Sequence, residues 1–201
     1  MPSMHTFTIK PIRELVSRYV GNGKNWIDPF AGENSPAEIT NDLNPKKPAK
    51  YHMHALEFAK MLEGQYDGCL FDPPYSLRQV KECYDQIGCS DFLANDTTHF
   101  PYDIKREIAK KIKPNGIVIS CGWNSGGFGK KLGFEIIEIL LVPHGRMHND
   151  TIVTVERKLP SLFDTPDNVP DPDSVSDHQP NTVSDHQPDS VSASRPNSDI
   201  R

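Results

Sequence analysis

The sequence predicts an α/β fold: a doubly wound, mostly parallel sheet with a C-terminal antiparallel hairpin. Three observations lead there. Short apolar runs alternate with segments of helical periodicity through most of the chain. Two of those runs, 26–28 and 66–71, empty into rigid turns that begin with an aspartate. Two β-rich runs, 134–142 and 151–158, close the pattern with a polar loop between them.

Each element has its own signal. Residues 11–20 place Ile12, Leu15, Val16, Tyr19 and Val20 at helical spacing behind Pro11, a residue suited to a first turn. The stretch Trp26-Ile27-Asp28-Pro29-Phe30-Ala31-Gly32 reads as a short strand entering a glycine-containing loop, as in nucleotide-cofactor folds. Residues 38–41 give a second strand ending on Asp42, residues 49–54 a third, and 55–62 a helix. The apolar run 66–71 is a strand that delivers Asp72-Pro73-Pro74-Tyr75. Ser76 suits the cap of a helix carrying Leu77, Val80, Tyr84 and Ile87, and Asp103 the cap of another with Ile104, Ile108 and Ile112 on one stripe. The second helix is expected to stop at Pro114-Asn115-Gly116, ahead of a buried strand over 116–122.

The whole chain, 201 residues with a net charge of −5, fits one core and a tail. From Pro160 onward there are eight Asp and two Arg, so the tail carries −6 and residues 1–159 carry +1. An eight-residue repeat runs through it: Asp173 to Pro180, Asn181 to Pro188, and a decayed copy from Asp189 to Pro196. Polar units ending in proline bury too little apolar surface to offset ordering entropy, so residues 160–201 are expected to be a disordered tail. His178 and His186 recur in it without the preformed geometry that metal binding requires. Cys69, Cys83, Cys89 and Cys121 show no Cys-x-x-Cys spacing, and no metal is expected. No signal peptide or membrane-length apolar run is present, which points to a cytoplasmic chain with no membrane partner; nothing specifies its oligomeric state.

The chemistry concentrates at Asp72-Pro73-Pro74-Tyr75. Proline fixes φ and biases the preceding residue toward extended geometry, so Asp72 and Tyr75 leave their strand with little freedom. The exocyclic amine of a nucleobase is a poor nucleophile because its lone pair is delocalised into the ring. Acceptors from the Asp72 carboxylate and the Pro73 carbonyl could take one N–H each and turn that lone pair out of plane. The Tyr75 ring could stack on a base drawn out of its helix. Taken alone, the tetrad is equally consistent with a strand ending in a Pro-Pro turn.

Asp28-Pro29-Phe30-Ala31-Gly32, Asp42 with Asn44-Pro45, and Asp72-Pro73-Pro74-Tyr75 together resemble the S-adenosylmethionine-dependent DNA amino-methyltransferases, above all the N6-adenine type of small phage-borne methylases. The resemblance covers roughly residues 6–158. It implies a class I methyltransferase fold, Rossmann-like, with S-adenosylmethionine as cofactor and DNA as partner. It further implies that the loop Asp28, Pro29, Phe30, Ala31 and Gly32 binds the donor and that Asp42 with Leu43 holds its ribose. Thr8 and Lys10 would approach the methionine part, and Asp72, Pro73, Pro74 and Tyr75 would be catalytic. Aspartate at the first tetrad position favours adenine over cytosine.

Three departures stand against the family pattern. Only nine residues separate Gly32 from Asp42, so the helix usual there is shortened or absent. Where the family tends to place an acid after the third strand, this chain has His54-Ala55; His54 could bond the donor's adenine or be structural. No segment offers room for a separate target-recognition domain. Acceptor contacts are expected from Trp123 and Asn124 and from the loop carrying His144, Arg146 and Asn149. Lysine patches at Lys46-Lys47-Lys50, Lys110-Lys111-Lys113 and Lys130-Lys131 are candidate phosphate contacts or merely solubilising. An RNA guanine-N2 methyltransferase and a non-catalytic cofactor-binding protein remain open alternatives.

Overall fold

The structure, a computed structural model, describes residues 6–88, 100–145 and 149–160. Residues 161–201 of the expected tail, Cys89 and Arg146 lie outside them. A 3-10 turn, Thr6–Thr8, leads into α1 (Lys10–Val20). There follow β1 (Trp26–Asp28), β2 (Ile39–Thr40), α2 (Ala55–Met61), β3 (Tyr66–Phe71), α3 (Leu77–Gln86), α4 (Phe100–Lys111) and β4 (Ile112–Gly122). A 3-10 turn, Lys130–Leu132, precedes β5 (Phe134–Val142), and β6 (Thr151–Lys158) is the last element.

One six-stranded sheet runs in the order β2-β1-β3-β4-β6-β5. The first four strands are parallel, and β6 lies antiparallel between β4 and β5. This is the Rossmann-like architecture of class I methyltransferases, with the antiparallel hairpin at its far side. Strand periodicity divides the core between the faces. Cys69 and Phe71 join Phe58, Ile104, Ile108 and Val118 in the layer under α2 and α4. Leu70 between them joins Ile12, Leu15, Val16, Ile119 and Val153 under α1.

Several expectations need correction. Residues 49–54 form no third strand: pairing is limited to an isolated bridge between Asn41 and Tyr51. The bonds that would extend it are taken by the Asn41 side chain, which accepts from Met53 N at 3.1 Å and donates to Met53 O at 3.0 Å. Asp103 does not cap α4, because the helix starts three residues earlier at Phe100, with Pro101 in its first turn. It also ends at Lys111, and β4 begins at Ile112 rather than 116, its register against β3 shifting between Tyr66 and Gly68. Between β1 and β2 there is no helix. Among the described residues, no helix is long and apolar enough to cross a membrane.

Candidate active site

Parallel strands aligned in one sheet bring their carboxyl ends to one edge, and that edge collects the predicted residues. Asp28 ends β1, Asp42 follows β2, Asp72 follows β3 and Gly122 ends β4. A cavity opens among the first three of these turns. Pro29, Phe30, Ala31, Gly32, Asp42, Leu43, His54, Ala55, Asp72 and Pro74 all line it. The glycine turn and two tetrad residues, Asp72 and Pro74, therefore face one space, whereas Pro73 and Tyr75 do not line it.

The wall on the β1 side is held together by side chains. Fully buried Asp28 accepts from Phe30 N at 2.9 Å and from Ser35 Oγ at 2.6 Å, which curls the chain back after the strand. Burial pushes its carboxyl up to about 7. Gly32 sits at φ +57, a conformation that favours glycine, and its N–H donates to Asp42 Oδ2 at 3.0 Å. Asp42 Oδ1 accepts from Asn44 N at 2.8 Å, so the carboxylate is fixed while its remaining lone pairs stay available to hydroxyls. Asn41, also fully buried, adds a bond from its amide to Pro29 O at 3.1 Å, joining the β1 turn to the chain at Met53. His54 caps α2, its Nδ1 accepting from Leu56 N at 3.2 Å. That bond fixes the imidazole against the cavity, so both roles foreseen for His54 are compatible.

At the other end, Asp72 is 6% exposed. Burial pushes its carboxyl up to about 6, against hydrogen bonds from Tyr75 and Thr6 that favour the ionised form. The Tyr75 hydroxyl donates to Asp72 Oδ1. Burial, and then the Asp72 charge, raise the Tyr75 phenol well above its usual range. The Tyr75 N–H donates to Gln79 Oε1 at 2.6 Å, which ties the tetrad to the first turn of α3 where Ser76 is the cap. The Tyr75 ring meets Trp123 edge-on, with centroids 5.6 Å apart. Tyr75 is thus turned inward onto Asp72 rather than presented as an open stacking face.

Other expected residues fall outside the cavity. Thr8 and Lys10 are displaced by Thr6 and Phe7, because the 3-10 turn before α1 turns those two inward. Asp28 is sealed beneath the loop, and Pro73 is buried behind Pro74. Trp123 reaches the site only through Tyr75. Asn124 closes its own turn by accepting from Gly126 N at 2.9 Å. His144 bonds Thr151 Oγ1 at 2.8 Å, Asn149 is exposed, and neither lines the cavity. Of the candidate phosphate contacts, Lys47, Lys110 and Lys113 pair with Glu33, Glu107 and Asp67, which weakens those patches. Gln79, Glu82 and Cys83 from α3 line the cavity and were not anticipated; the only sequence signal was that α3 directly follows the tetrad.

No family model matches the chain, and no curated protein matches it. Solved structures do. The chain is 12% identical to a 1,6-didemethyltoxoflavin-N1-methyltransferase from Burkholderia thailandensis, with a TM-score of 0.50 over 77% of this chain and 80% of that one. TrmN from Thermus thermophilus is 17% identical with a TM-score of 0.49, over 73% of this chain, which spans about half (48%) of TrmN. The N-methyltransferase NodS from Bradyrhizobium japonicum is 10% identical with a TM-score of 0.46, over 77% and 97%. At these identities the likeness is one of fold.

Proposed function

We propose that the chain is an S-adenosylmethionine-dependent methyltransferase that modifies the N6 amine of adenine in DNA. The observation that carries this reading is the single cavity lined by Gly32 and Asp42 at one end and by Asp72 and Pro74 at the other. An elongated donor with ribose hydroxyls and a reactive end has complementary groups at both ends. The fold agrees, and the Burkholderia methyltransferase of like fold was solved with S-adenosylhomocysteine bound.

When bound, the donor supplies an electrophilic methyl group on a sulfonium. Asp42 would accept its ribose hydroxyls, and Pro29 to Gly32 with Leu43, His54 and Ala55 would hold the rest of it, since all of them line the cavity. Asp72 takes one amine hydrogen of an extruded base, and Tyr75 turns from Asp72 to cover that base. A carboxyl near 6 accepts the proton lost from the amine and releases it to water at neutral pH. Binding donor and acceptor side by side makes the transfer effectively unimolecular. Residues 160–201 take no part in this scheme.

The test is incubation of the full chain with labelled donor and duplex DNA, single-stranded DNA or transfer RNA, then digestion to nucleosides. N6-methyladenine from DNA is the expected product. N2-methylguanine from RNA would replace the DNA reading, and donor binding without any product would make the chain a non-catalytic binder.

A further inference from the structure

Two hydroxyls converge on the Asp72 carboxylate, one from Tyr75 and one from Thr6. The Tyr75 bond comes from a partly exposed ring on a turn that also has to receive the acceptor. The Thr6 bond is different in kind. Thr6 is 5% exposed and belongs to the 3-10 turn that packs beside α1, whose apolar face is buried against the sheet. Its neighbour Phe7 is buried in the same apolar layer as Leu70, two residues before Asp72. Thr6 therefore reaches Asp72 from the rigid part of the molecule, and both side chains line the cavity.

A carboxylate that hands one oxygen to a substrate needs its rotation about Cβ–Cγ arrested by something the substrate does not displace. Tyr75 cannot serve, because it occupies the place where an acceptor hydrogen would go. We propose that Thr6 is a positioning residue for methyl transfer, anchoring the Asp72 carboxylate while the acceptor amine takes over the bond now made by Tyr75. This rests on the reading of Asp72 as the acceptor-binding acid.

Two further buried ionisable groups sense the Asp72 charge, Asp28 at the end of β1 and Cys121 in β4. The groups that favour the ionised form of Asp72 itself are Tyr75 and Thr6.

Thr6→Val keeps the shape and removes the hydroxyl; Thr6→Ser keeps the hydroxyl. For each, methyl transfer under single-turnover conditions is followed from pH 5 to 8, and S-adenosylhomocysteine binding is measured by calorimetry. Thr6→Val is expected to slow transfer at least about tenfold at pH 6.5 and to move the acid limb upward by about one pH unit, since a lost bond to the charged form raises an acid. Thr6→Ser is expected to restore both, with donor affinity within about threefold of wild type in each variant. An unchanged acid limb in Thr6→Val, or a Thr6→Ser variant no better than Thr6→Val, overturns the proposal while leaving the methyltransferase reading intact. A wild-type chain that transfers no methyl group overturns both.

Discussion

The phenol of Tyr75 donates to the carboxylate of Asp72 three residues before it, so the tetrad closes on itself. The two proline backbones between them set the reach of that bond. Replacing Asp72 by Ala removes the acceptor for the amine while leaving the Gly32–Asp42 end untouched. Transfer should fall by about a hundredfold or more, as for loss of a preorganised electrostatic partner. Donor affinity should hardly change. Labelled-methyl incorporation and calorimetry check both halves, and normal turnover in the variant would remove Asp72 from the mechanism.

Asp42 makes the opposite prediction. Its carboxylate is oriented by Gly32 N and Asn44 N and has lone pairs left over. Asp42→Ala should weaken S-adenosylhomocysteine binding by about 10- to 100-fold, the scale of hydrogen bonds to a charged group. Equal affinity in variant and wild type would place the ribose elsewhere.

Buried Asp28 and Asp72 are held protonated to about 7 and about 6, against 3.8 for the free side chain. Between pH 4 and 7 the unfolded chain loses protons that the folded chain retains, so stability is greatest at the acid end of that window and falls as pH rises. A tenfold difference in proton affinity between the two states corresponds to about 1.4 kcal/mol. Asp28→Asn keeps an oxygen for Phe30 N and an amide for Ser35 Oγ but cannot ionise. Urea unfolding at several pH values should show a shallower decline from pH 5 to 7 in the variant; an identical slope would mean Asp28 titrates normally.

Glu156, buried within β6, accepts from Phe128 N at 2.6 Å and Gly129 N at 2.7 Å, pinning the loop after β4. A Cβ on Gly127 would lie 2.2 Å from Glu156 Oε2, and the backbone there is at φ +44. Gly127→Ala should cost about 3 kcal/mol from overpacking and left-handed strain together. A shift of the denaturation midpoint measures it, and a variant as stable as wild type would show that the loop can open without penalty.

How much of this was legible beforehand varies by element. The bounds of β3, β5 and β6 were readable to the residue, because each is an apolar run ending at charged or proline-containing turns. Asp42, Gly32 and Asp72 could be placed at one edge from strand order alone. Thr8 and Lys10 were named from the resemblance alone, which carries no information on how the 3-10 turn before α1 aims Thr6 and Phe7 at the cavity. Asn41 and α3 were missed for another reason. An amide that satisfies three backbone groups twelve residues away on either side leaves no local periodicity, and a helix covering a cleft looks in sequence like one covering a core.

The coil joining β1 to β2 has a consequence for how the chain tolerates change. Where a helix would spread the support of the donor wall over many interchangeable backbone bonds, this wall depends on a few side chains, the carboxamide at position 41, the carboxylates at 28 and 42 and the hydroxyl at 35. Loss of the hydroxyl at position 35, the carboxylate at 28 or the carboxamide at 41 removes one of those few supports, so each is a point of failure for everything bound behind it.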